Sequence, residues 1–314
     1  MRNSLLSLII VCILLLISIY LFIPAKVTFS KVIFIKTKIN IANRFLMDES
    51  KWGKWFPSDS MNKPGSTDII NKYRNYFYSI DKTMMNTAQV SISNNQTSLK
   101  SLINMISIHG DSIAIEWKSE LPESSNPVNR VKNYIRARKL QNCMSDILKH
   151  LKTFLGDADK IYGIHLHEII SKDSTLTATR FLSRGYPSTG NIYNSITSLK
   201  KYITSQGAKE NNYPMLHVKK VNDTTFETMV AIPVNKYLPG NGKIFFKRFV
   251  PWKVLTAEVK GGTSTVDEAL NQMEIYIADY HREAMAIPFE SLVTDRSKQP
   301  DTLQWITQIY TPVR

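Results

Sequence analysis

Residues 5–23, LLSLIIVCILLLISIYLFI, hold no charge and show no alternation of polar with apolar positions; Pro24 closes the run. At 1.5 Å per residue, such a helix reaches nearly across a hydrocarbon core of about 30 Å. The pattern therefore predicts a retained membrane anchor over residues 1–24. A cleaved signal peptide fits less well, because its apolar stretch runs only about 7–15 residues and ends at a small-residue site that IPAKV does not offer. Arg2 precedes the run, whereas Lys26, Lys31, Lys36 and Lys38 follow it. That asymmetry favours the cytoplasmic side for the rest of the chain, the alternative topology being periplasmic.

Beyond Pro24 the pattern changes to short runs rich in β-branched and aromatic residues, which predict strands at 25–37, 69–80, 84–93, 99–107 and 112–120. In the last of these, Ile113, Ile115 and Trp117 alternate with Ala114, Glu116 and Lys118, as in a sheet with one wetted face. NNQ (94–96) and HGD (109–111) read as hairpin turns. Ile41, Phe45 and Leu46 fall at helical spacing just before WGKWFP, where Trp52, Trp55 and Phe56 crowd into five positions. Asn126 and Pro127 are a plausible cap and first residue of a long helix ending near Leu155, with Ile147, Leu148 and Leu151 on its apolar stripe.

The second half repeats itself. Gly190 precedes IYNSITSLKKYI, then YPMLHVKKV and TFETMVAIPV; Gly261 and Gly262 precede VDEALNQMEIYI, then IPFESLVTD and TLQWITQIYTPV. Each copy reads strand, helix, strand, strand and ends in Pro-Val, with residues 235–243 as the connector. The fold class expected is α+β.

Charge adds one restriction. The formal net charge of +14 suits an anionic surface. Lysine and arginine are scattered, however, and the one cluster, Arg130, Lys132, Arg136, Arg138 and Lys139, reads as the solvated face of a helix. Nucleic acid is not an expected partner; a membrane is. Cys12 and Cys143 cannot staple the folded part, since Cys12 lies in the apolar N-terminus. No G-x-S-x-G elbow and no Walker spacing is present. His165 and His167 share a strand face without a third ligand in a recognisable pattern, so neither metal nor cofactor is expected.

The first strand, the helix carrying Phe45, DESKWGKWFP, the strand meander and the long helix together resemble the SRPBCC (polyketide cyclase and START-like) superfamily over residues 25–156. The resemblance implies a helix-grip fold in which Trp52 and Trp55 stand at the mouth of a cavity between sheet and helix. Residues 157–314 resemble the GyrI-like, or bacterial effector-binding, domain through the duplicated unit, Tyr213-Pro214, AIPV (231–234), EVKGG (258–262) and the closing IPFESLVTD…TLQWITQIYTPV. That resemblance implies a groove between the copies for a hydrophobic, possibly cationic, small molecule, with Glu290 facing the cation. Tyr213, Phe249, Trp252, Tyr276 and Trp305 are the candidate lining aromatics. No helix-turn-helix precedes the domain.

The function expected on these grounds is small-molecule binding or sensing by a single-pass protein of the bacterial inner membrane, with a protein partner to read the bound state. The alternative is a hydrolase or cyclase in which Glu290 serves as base or electrostatic stabiliser and Tyr276 or Tyr213 donates the proton.

Overall fold

In the computed structural model, described for residues 2–58, 71–94, 97–172 and 174–314 and for side chains from residue 7 onward, the chain divides into two compact units, Met1–Asp157 and Ala158–Arg314. Positions 69–70 of the expected strand and 95–96 of the NNQ turn lie outside the described residues.

The first unit begins with α1 (Arg2–Phe22). Among the described residues no helix is long and apolar enough to cross a membrane. The expected single-pass anchor, and with it the inner-membrane location, is therefore corrected. What α1 does show is an attachment at its end: the Tyr20 hydroxyl donates to the Ser125 carbonyl at 2.7 Å, and the Arg130 guanidinium lies 4.5 Å from the Tyr20 ring.

There follow β1 (Val27–Ile35), α2 (Ile39–Leu46), a 3-10 turn (Glu49–Lys54), β2 (Lys72–Tyr73), β3 (Tyr76–Met84), β4 (Thr87–Asn94), β5 (Thr97–His109), β6 (Ser112–Leu121) and α3 (Pro127–Leu155). The strands form one antiparallel sheet in the order β1-β6-β5-β4-β3-β2. The sequence pattern implied one strand fewer, because β2 is only two residues long and carries no alternation to read. Asn126 caps α3 by accepting from the Val128 and Asn129 amides, with Pro127 at its first position. Leu140, Met144, Ile147, Leu148 and Leu151 on α3 are fully buried.

The tryptophans lie in that interior. Trp52 is 0% exposed and Trp55 6%. Their indole nitrogens donate to the Leu46 and Phe45 carbonyls, both at 3.0 Å, which satisfies carbonyls left over at the end of α2. From Trp52 the rings continue through Phe56 (5.5 Å, stacked) to Tyr78 (5.5 Å) and Trp117 (5.8 Å). Aromatic pairs at such offsets contribute beyond their burial, so these side chains fill the space beneath the sheet.

The second unit consists of α4 (Ala158–Tyr162), β7 (His167–Ile170), β8 (Ser174–Arg184), α5 (Thr189–Ser205), β9 (Met215–Lys220), β10 (Thr225–Val234), β11 (Ile244–Phe249), β12 (Lys253–Lys260), α6 (Thr263–Asp279), β13 (Phe289–Leu292), a 3-10 turn (Thr302–Gln304) and β14 (Ile306–Pro312). Its eight strands run β11-β8-β10-β9-β13-β14-β12-β7. The copies β8-α5-β9-β10 and β12-α6-β13-β14 meet at β9 and β13, where Leu216 pairs with Glu290 and Met215 with Ser291.

Strand parity then decides what each face does. Ile192, Ile196, Leu199 and Ile203 of α5 pack on Leu216, Val230, Ile232 and Leu292. Val266, Ala269, Met273 and Ile277 of α6 pack on Leu255, Ala257, Val259 and Ile309. Glu290 pairs with Leu216 and Ile309 and shares its face with Leu292, so both helices cover the same side of the sheet. The other face carries Leu176, Ala178 and Ala231, packed with Met215, Phe245 and Phe249.

Candidate functional site

Glu290 lies on the helix-covered face, 7% exposed. Burial pushes its carboxyl above the usual carboxylate range, and the guanidinium of Arg296 pulls it partly back. Arg296, itself 7% exposed, donates from Nη2 to Glu290 Oε2 at 3.1 Å and to Thr307 Oγ1 at 2.7 Å. Its guanidinium carbon stands 4.8 Å from the Trp305 ring centroid. Arg296 comes from the polar stretch after β13, folded inward because its amide donates to the Tyr193 hydroxyl at 2.6 Å, while that hydroxyl donates to the Thr294 carbonyl at 3.2 Å. Near this pair, burial and the Glu290 charge raise the Tyr186 phenol, and burial raises the Asp267 carboxyl.

Here the chain provides its own cation against the carboxylate and an aromatic face. A guanidinium between a carboxylate and an indole is the arrangement in which cation–π and charge-assisted contacts reinforce one another.

The opposite face holds an open cavity of about 300 Å³. Leu176, Ala231, Met215 and Met229 form its inner wall, and Phe249 meets Phe289 edge to face at 5.3 Å. Trp252 stands at the rim, anchored by its indole nitrogen donating to the Val313 carbonyl at 3.0 Å. Met285 and Ile287, each 44% exposed, complete the mouth. Volumes of about 300–1,000 Å³ with predominantly apolar walls are typical of small-molecule sites. Three basic residues also line it, His217 on β9 and Lys247 and Arg248 on β11.

The aromatic residues singled out from the sequence therefore do not assemble around Glu290. Phe249 and Trp252 line the cavity on the far face. Trp305 stacks on Arg296, on Glu290's side. Tyr276 packs against Tyr162 (5.2 Å) and Tyr280 (4.6 Å) on α6. Tyr213, 47% exposed, lies just before β9 and does not line the cavity. Trp52 and Trp55 belong to the first unit's core. The sequence reading passed over Arg296, His217, Lys247, Met215 and Phe289. The alternation in KIFFKRF could have pointed to Lys247, since it shares parity with Phe245 and Phe249.

Elsewhere, the His165 and His167 rings lie 5.6 Å apart and His165 Nδ1 is 2.8 Å from Asp159. No group of three metal-ligating side chains forms among the described residues.

The second unit is thus a duplicated α+β domain with a buried ion pair and an open apolar cavity. No protein-family model and no curated protein matches the chain. Among solved structures, the EcmrR–DNA complex is 18% identical, with a TM-score of 0.44 over 61% of this chain and 72% of that one. A hydrolase from Listeria innocua is 10% identical, with a TM-score of 0.38 over 48% and 91%. SAV2435 bound to tetraphenylphosphonium is 16% identical, with a TM-score of 0.32 over 48% and 94%.

Proposed function

We propose that the unit Ala158–Arg314 binds an apolar small molecule on the sheet face opposite its helices. The observation that supports this is the open, apolar-walled cavity of about 300 Å³ beside the junction of the two copies. Taking about 30 Å³ per water, it has room for roughly ten waters, which suits a ligand of a dozen or so heavy atoms.

Glu290 is not the centre of this site. Its carboxylate is engaged by Arg296 and lies on the other side of the sheet, so neither a base acting on a bound ligand nor a counter-ion for a bound cation follows from its position. The test is calorimetric titration of the full chain with 2-naphthylmethanol, against a Met229→Trp variant whose larger side chain fills the cavity. Saturable binding that the substitution removes supports the reading; binding unaffected by it refutes the location.

A further inference from the structure

The basic lining of the cavity carries the assignment further, provided the cavity is the binding site just described. Lys247 is on β11, on the same face as Phe245 and Phe249, and its ammonium contacts the Met229 sulfur at 3.8 Å. A thioether is only a weak acceptor. No carboxylate lies within ion-pair distance of Lys247 among the described residues, and no aspartate or glutamate lines the cavity. Glu227, the acidic group that acts on His217, is already engaged by Arg180 at 3.4 Å.

His217 points the same way. Its Nδ1 donates to the Pro288 carbonyl at 2.8 Å, since a carbonyl can only accept. Burial, the largest cause, holds the imidazole below its usual pKa; the Pro288 hydrogen bond pulls it back up, and the lowering by Lys247 and Lys219 is opposed by Glu227.

We propose that the cavity takes an apolar monoanion, such as an aromatic or medium-chain carboxylate, whose body fills the Met215–Phe249–Phe289 wall and whose head is held by the Lys247 ammonium. A cation there would face the basic residues His217, Lys247 and Arg248 and no lining carboxylate. A neutral ligand would leave the ammonium against sulfur.

The test compares three ligands sharing one aromatic body, 2-naphthoate, 2-naphthylmethanol and 2-naphthylmethylammonium, by titration of the full chain at pH 7.5. The carboxylate is expected to bind about tenfold more tightly than the alcohol, the scale of one charge-assisted hydrogen bond, and the ammonium more weakly than either. Lys247→Met should reduce the carboxylate-to-alcohol ratio to near one, and Lys247→Arg should keep it above one; circular dichroism checks that both variants fold. An ammonium bound as tightly as the carboxylate, or a ratio that survives Lys247→Met, overturns the anion assignment alone. If none of the three binds, the cavity reading falls with it.

Discussion

Replacing Arg296 by methionine isolates the buried pair. At the observed 3.1 Å, two unit charges in an effective dielectric of about 20 attract by roughly 5 kcal/mol. That gross figure is offset by the cost of drying both ions, so the pair as a whole contributes little net stability. Removing one member is different: it leaves Glu290 charged and unsolvated, at a cost of about 3–5 kcal/mol. The cost depends on pH, with a definite sign. Burial already raises the folded-state pKa of Glu290, and without the guanidinium it rises further. A carboxyl whose folded pKa lies above its unfolded value binds the extra proton in the folded state, so stability is lost as pH rises through the interval between the two. The deficit of Arg296→Met against wild type should be small near pH 4.5 and reach its full size by pH 7.5. Urea unfolding at both pH values measures it; guanidinium chloride is unsuitable because its cation could occupy the vacated place. Adding Glu290→Leu to Arg296→Met should recover most of the loss at neutral pH. Equal deficits at the two pH values, or a double variant no better than the single, would refute the reasoning.

Three further substitutions probe other contacts by thermal or urea unfolding. Trp52→Ala should cost the first unit about 3–5 kcal/mol, because it opens a cavity where the ring is 0% exposed and stacked on Phe56; a loss under 1 kcal/mol would mean the aromatic chain is not core. Tyr162→Phe removes the buried hydroxyl that donates to Asp279 Oδ2 at 2.9 Å, and should cost about 1–3 kcal/mol. Gly261→Ala should cost more than about 1 kcal/mol, since φ is +142° there and a new Cβ would sit 2.6 Å from Thr265 Oγ1; a neutral result would show that the turn relaxes freely.

Much of the architecture was legible because it is written in periodicity. The duplicated strand-helix-strand-strand unit shows in the spacing of Gly190 and Gly262 before their helices, and the cap of α3 in Asn126-Pro127. The candidate site was less legible, for three physical reasons. Both faces of the unit's sheet carry apolar side chains, so PFESL alternates without announcing which face is which, and Glu290 could be assigned a side only through its pairing with Leu216 and Ile309. Arg296 lies in a run, TDRSKQP, whose composition reads as solvated loop; its burial depends on the Tyr193 hydroxyl arriving from α5 more than a hundred residues earlier. Lys247, in an edge strand, looks like ordinary surface charge until the cavity beside it is known. The apolar run of α1 was plain to read as a helix, yet among the described residues no helix is long and apolar enough to cross a membrane.

The two faces of this sheet differ in what they leave unmet, and that difference decides between ligand classes. For an external cation to reach Glu290 it must displace Arg296 and leave a buried guanidinium unpaired. At about 3–5 kcal/mol for a broken buried pair, that lowers affinity by roughly two to three and a half powers of ten. Filling the far cavity displaces no protein group. An aromatic body there removes about 150–250 Å² of apolar surface from water, worth roughly 4–6 kcal/mol before the costs of association. The ammonium of Lys247 adds to this only for a ligand that carries negative charge. The carboxylate that stands out most in the sequence is thus occupied from within, and the unpaired charge beside an open apolar wall is positive.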